Sequence, residues 1–290
     1  MTALVSEQQL GETRKLKAGD LARRFLRIAF LLLATFIFFV PILGSALTAV
    51  RTVGDILNNG AWALPQPFQP DNFLAAWRGL WPYFRASVIV TVPSIVGVLL
   101  IASMASYAIS RLRFPGRLPI FFTLIALSFV PIQVQLIPIF KLFNAIGLFD
   151  TFYALIIVQI MRHVPFAVLV MTGFFNTVPS ELREAAKVDG ASEWTVYWRI
   201  FLPLARPALA ALLVLEFTWI WNDLLWGLVL AQSNDKRPVT VGILTFQGEH
   251  TLSWPLIAAG AVTAALPTVL VFLMFQKHFI RGMTMGAVKG

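Results

Sequence analysis

Cysteine is absent from the chain. Without it neither a disulfide framework nor a thiolate metal site can form. Charge is scarce as well. Only 13% of residues are charged and 58% are hydrophobic, with a mean hydropathy of +0.77, which is too apolar for a water-facing globule. The three histidines, His163, His250 and His278, stand far apart with no metal-ligand spacing, so no metal site is expected. No Gly-x4-Gly-Lys-Ser/Thr pattern occurs, which excludes a P-loop for nucleotide phosphates. No Ser/His/Asp arrangement suggests hydrolysis. A chain with no cofactor of its own and no enzymatic centre is expected.

The sequence does contain long apolar runs. Four are free of charge and bracketed by charges: 28–50, 86–110, 118–140 and 251–276. Each exceeds the ~20 residues that cross a hydrocarbon core. Two more, 151–178 and 207–230, carry internal charge at Arg162 and at Glu216 and Asp223. The expectation is an all-α integral membrane domain of six transmembrane helices over residues 25–290, preceded by a basic tail, 1–24. The first run is longer than the ~7–15 residues of a secretory signal core, so an uncleaved anchor is expected despite Gly44-Ser45-Ala46 behind it. The stretch 51–84, with Pro65, Pro67, Pro70 and Pro82, reads as an irregular outer segment, with Trp62, Trp77 and Trp81 suited to the interface. Arg111 to Gly116 reads as a tight turn, and 141–150 and 232–250 as outer loops.

The net charge of +9 could point to nucleic acid, but its distribution points to a membrane. Sixteen Lys and Arg fall in the N-terminal segment up to Arg27, at 111–117, in 179–206 and after Gln276. Six fall on the other side, at Arg51, Arg78, Arg85, Lys141, Lys236 and Arg237. By the positive-inside rule both termini and the 179–206 segment are cytoplasmic.

Segment 179–206 is the one long polar stretch between apolar runs, and its spacing suits a helix–turn–helix. Ser180 can cap a first helix that carries Glu181 and Glu184 at the positive end of its dipole. Asp189-Gly190 can end that helix in a left-handed turn. Ser192 can cap a second helix, and Pro203 bars its continuation. Ala185 and Ala186 keep the first helix thin enough to enter a partner's groove.

The full pattern, Glu184-Ala185-Ala186-x3-Gly190-x9-Ile200-x-Leu202-Pro203, resembles the EAA loop of binding-protein-dependent ABC importer permeases, and its flanks are similar to the sugar-uptake branch. The C-terminal Thr284-x-Gly286-x-Val288-Lys289-Gly290 is similar to the tail of the maltose-type permease subunit. The resemblance implies the type I ABC importer permease fold in a bacterial or archaeal plasma membrane. It implies a second homologous permease, an extracytoplasmic solute-binding protein, and two ATPase subunits that hold the ATP and Mg. Glu184, Ala185, Ala186, Asp189, Gly190, Ile200, Leu202 and Pro203 would then couple to the ATPases. Gly286, Val288, Lys289 and Gly290 would insert between them.

The intramembrane charges suggest a second site. An ionisable group at mid-depth costs several kcal/mol unless paired or wet, so it marks an internal face. Glu216 lies roughly 15 Å into the fifth run at helical rise. On a continuous helix Glu216, Trp219, Asp223 and Trp226 share one stripe. Acidic and aromatic groups together suit a wet path for a hydroxylated solute; a structural ion pair with interface tryptophans is the plainer reading. Arg162, with Gln159 and His163, is the expected counter-charge. Pro131, Gln133, Gln135 and Pro138 break the third run, as backbone lining a cavity allows. The same machinery carrying another polar solute, such as a glycerol-3-phosphate derivative, fits these residues too. So does a secondary transporter or channel that uses Arg162, Glu216 and Asp223 as a charge relay.

Overall fold

The computed structural model describes residues 18–247 and 253–287. Four helices in it are long and apolar enough to cross a membrane: α1 (Ala18–Ala49), α3 (Asp71–Arg111), α6 (Phe152–Thr177) and α13 (Trp254–Ala287). Two bent pairs pass the same test. One joins α4 (Arg117–Ser128) to α5 (Ile132–Ala145) at 102°. The other joins the helical stretch Glu193–Leu204 to α10 (Arg206–Trp221) at 71°. Counting each bent pair as one span brings the number to six. Short helices complete the chain: α2 (Val53–Asn59), α7 (Glu181–Val188), α8 (Glu193–Val196), α9 (Leu202–Leu204), α11 (Leu225–Leu230) and α12 (Val239–Leu244).

The core is built on α3 and α6. Small residues on both helices let them approach closely, as association in lipid favours. Ala102, Ser106, Ala167 and Val168 are buried there, and the Ser106 hydroxyl donates to the Val168 carbonyl at 3.0 Å. Trp221 on α10 donates its indole N–H to the Ala264 carbonyl of α13 at 2.9 Å, which ties the second half of the chain together. The outward faces of α1 and α4 are apolar: Phe30, Leu32, Phe36 and Phe38 on α1 and Phe122 on α4 are all more than 60% exposed, as a lipid-facing surface requires.

Four expectations are corrected. Helix α1 starts at Ala18, inside the segment read as a tail. Helix α3 runs for 41 residues from Asp71, about 60 Å at helical rise. Trp77, Trp81 and Pro82 therefore lie on a helix and not in an irregular segment. A proline mid-helix removes one backbone bond, which packing against neighbouring helices offsets. The third run breaks as expected at Pro131, extended at φ −58°, ψ 136°, but not at Gln133, Gln135 or Pro138, which lie within the continuous α5.

The fourth correction concerns 232–250, read only as an outer loop, part of which is helical as α12. Up to Gln247 it folds back on the bundle; His250 lies outside the described residues. Val239 N–H donates to the Ser87 hydroxyl at 2.8 Å. At Gly242 the backbone approaches so closely that an added Cβ would lie 2.4 Å from the Tyr83 ring. Asp150 accepts from the backbone N–H groups of Gln232 and Ser233 at 2.8 and 2.9 Å, from the Ser233 hydroxyl, and from Lys236 at 3.2 Å. Burial alone would raise the Asp150 carboxyl, but these donors outweigh it and hold it down at about 2.

Candidate functional site

The 179–206 segment folds into two short helices joined at Gly190. Gly190 has φ +80°, the left-handed turn that glycine adopts without steric penalty. Ser192 caps the second helix, its hydroxyl accepting from Thr195 N–H at 3.1 Å. Ser180 behaves otherwise than expected. Its own φ and ψ are helical and its side chain caps nothing; its carbonyl receives the N–H groups of Arg183 and Glu184.

Pro203 does not end the second helix. Between α8 and α9 the backbone widens into a π turn, Tyr197–Phe201, in which Leu202 N–H reaches back five residues to the Tyr197 carbonyl. A widened turn relaxes the clash a proline ring makes with the preceding turn, so the helix passes through Pro203. The 71° bend follows around Ala205.

One carboxylate fastens this unit to the bundle. Glu193, first residue of α8, accepts from Arg183 on α7 through both oxygens, at 3.2 and 2.5 Å. Lys187 stands 3.8 Å away. Tyr107, near the end of α3, donates to Glu193 at 2.7 Å. The Arg183 bonds first, and then Tyr107, hold the Glu193 carboxyl below the usual carboxylate range. Beneath it Tyr107, Phe175, Tyr197 and Phe201 pack ring against ring, and the Arg111 guanidinium lies 5.1 Å over Phe201. Arg111 also donates to the carbonyls of Phe175 and Val178, which closes the end of α6.

The eight motif residues divide into two faces. Glu184, Ala185, Asp189 and Gly190 are exposed. Ala186, Ile200 and Leu202 pack against the apolar core beneath, and Pro203 is half-buried beside them. The outward face is not merely polar. Val188 is 88% exposed, and Leu182 and Trp194 are exposed too. An apolar ridge flanked by a carboxylate is the surface a groove-binding helix presents. Of the tail residues, Gly286 falls within α13, while Val288, Lys289 and Gly290 lie outside the described residues.

Tyr107 was not anticipated as part of this site. It is separated from Glu193 by 86 positions and sits in an apolar run whose periodicity reports only burial.

The side chains expected to face the intramembrane carboxylates, Gln159, Arg162 and His163, do meet them, in two separate pairs. His163, not Arg162, meets Glu216. Its Nδ1 lies 2.6 Å from Oε2 with both side chains buried, and Glu216 Oε1 has no hydrogen-bond partner. Arg162 lies 4.0 Å from Asp223, which also accepts from Gln159 at 3.1 Å and from Trp226 N–H at 3.2 Å. The expected four-residue stripe does not exist, because the helix stops at Trp221 and Asp223 occupies the break before α11. Trp226 is fully buried within the chain. Trp219 is 42% exposed and packs against His163 and Phe166. Arg162 and Trp219 thus face outward from the chain, and Glu216 is enclosed.

Helices of membrane-crossing length, two bent pairs and a polar helix–turn–helix held against the bundle define a multi-pass membrane protein. The chain belongs to the family of binding-protein-dependent transport system inner membrane components, whose model matches residues 97–285. It is 32% identical over 281 residues to an arabinooligosaccharides transport system permease protein of Halalkalibacterium halodurans, covering 95% of this chain and all of that one. It is 30% identical over 278 residues to a diacetylchitobiose uptake system permease protein of Streptomyces coelicolor, with 94% and 92% covered. Its fold matches a solved bacterial ABC transporter involved in import of the acidic polysaccharide alginate, with a TM-score of 0.78 and 21% identity over 90% of this chain and 98% of that one.

Proposed function

We propose that this chain is the permease subunit of an ATP-driven importer of a sugar or oligosaccharide, in which α7 delivers the motion of ATPase subunits to the membrane helices. The observation that carries this reading is the division of the 181–204 unit. Its outer face presents Leu182, Glu184, Ala185 and Val188, while its inner face is fixed to α3 through Glu193 and Tyr107. A partner pressing on that face moves a helix already joined to the bundle. Relatives named for arabinooligosaccharide and diacetylchitobiose uptake support a carbohydrate as the solute, and the family description supports a separate binding protein. A second homologous permease, two ATPases carrying ATP and Mg, and cytoplasmic placement of α7 and both termini complete the proposed machine. Gly286, Val288, Lys289 and Gly290 are proposed to meet the ATPases, and Arg162, Trp219 and Asp223, backed by Glu216, to edge the solute path.

The test is transport-coupled ATP hydrolysis by the assembled complex. Gly190→Val puts a β-branched residue where φ is +80°, a strain of about 1–3 kcal/mol that reaims α7. Glu184→Lys reverses an exposed charge on the motif's outer face. Each is expected to lower stimulated hydrolysis or assembly at least tenfold while membrane insertion persists. Normal coupling in both would overturn the reading.

A further inference from the structure

A cavity of about 580 Å³ opens where α3 ends and α7 begins, lined by Arg111, Leu112, Arg113, Phe114 and Arg183. Three guanidinium groups share it. Arg183 is neutralised by Glu193. Arg111 spends one edge on two carbonyls, and its Nε is buried with no hydrogen-bond partner. Arg113 is exposed and has no partner among the described residues. Arg117 follows at the start of α4, with only a 3.4 Å contact to the Leu112 carbonyl. Glu181 is the other carboxylate within electrostatic range of Arg111, which leaves the cluster with excess positive charge.

We infer that this cavity holds the phosphate headgroup of an anionic phospholipid. Guanidinium groups bind phosphate through paired N–H donors, and an anion between them removes their mutual repulsion. The neighbouring surface selects a lipid over a soluble phosphate. Leu112 and Phe114 line the cavity itself, and Leu118 and Phe122, one turn apart on the adjoining α4, are 53% and 63% exposed. An apolar wall beside a basic pocket at a helix end takes an acyl chain and its headgroup together. The site joins α3 to α7, so a bound lipid would brace the coupling unit against the bundle. Its placement at the cytoplasmic leaflet rests on the sidedness proposed above, but lipid retention can be measured whether or not that reading holds.

The experiment titrates phosphatidylglycerol into phosphatidylcholine nanodiscs holding the intact complex and counts retained lipid by native mass spectrometry. Arg113→Gln removes one cation without touching a bond in the fold, and Arg78→Gln, an exposed arginine elsewhere on α3, serves as control. A juxtamembrane arginine contributes about fivefold in affinity for anionic lipid. Arg113→Gln is expected to weaken phosphatidylglycerol retention by that factor, with Arg78→Gln unchanged and excess inorganic phosphate failing to displace the lipid. Equal retention in both variants would overturn the inference. Displacement by inorganic phosphate would also overturn it, by assigning the pocket to a soluble anion. Coupled hydrolysis that fails while retention follows this pattern would strike the proposed function and leave the lipid site standing.

Discussion

Glu193→Gln is expected to uncouple ATP hydrolysis from transport while leaving the protein folded in the membrane. Glu193 ties α7, α8 and α3 together, through Arg183, Lys187 and Tyr107. Glutamine keeps the shape and one acceptor but loses the charge that makes these bonds strong. The pair is about one-third exposed, so each lost bond is worth only about 1 kcal/mol. That is too little to unfold a bundle closed by its apolar core. It is enough to let α7 lift from α3, and each 1.4 kcal/mol is about tenfold in the population of the seated state. The measured ratio of ATP hydrolysed to solute moved should rise severalfold. Arg183→Lys, which keeps the charge but loses the fork, should fall between. A ratio equal to wild type in Glu193→Gln would show that the clamp does not transmit motion.

His163→Leu is expected to destabilise the protein more than any surface change. It leaves Glu216 enclosed, with the imidazole that stands 2.6 Å from its carboxylate removed and no hydrogen bond to either oxygen. Breaking a buried pair by removing one partner costs about 3–5 kcal/mol, whereas replacing both with apolar residues is near neutral. The double variant His163→Leu/Glu216→Leu should therefore recover most of the stability lost in either single one. Arg162→Gln should be mild, because Arg162 is 37% exposed and its contact with Asp223 is long at 4.0 Å. Thermal unfolding of the four variants in detergent measures this. Additive losses for His163 and Glu216 would contradict the pairing.

These two pairs mark the boundary of what the sequence made legible. The apolar runs identified the crossings, and the positive φ at Gly190 and the Ser192 cap follow from residue types whose local preferences are strong. Burial patterns carry no such information about partners. Nothing in the run from Thr151 to Val178 says that His163 and not Arg162 faces Glu216, since adjacent helical residues point about 100° apart and either could turn toward α10. The break at Asp223 was equally hidden, because Asn222-Asp223 lies in a run that is otherwise apolar. The carboxylate that looked like part of a stripe instead accepts the N–H of Trp226 at the start of α11. Pro203 misled in the other direction, since a π turn absorbs its ring and residue propensities do not encode one.

The most direct measurement follows from the absence of cysteine, which makes the native chain a ready background for single thiols. Val188 is 88% exposed on α7, and a cysteine there should cross-link to an ATPase subunit of the purified complex through a short bifunctional maleimide. The yield should change when nucleotide is trapped, and a cysteine at Leu57, exposed on α2, should give no such product. Cross-linking at 188 that depends on nucleotide is the expected result. If position 188 never reaches an ATPase in any nucleotide state, and solute still enters reconstituted vesicles, the chain transports without this coupling unit and the account is wrong.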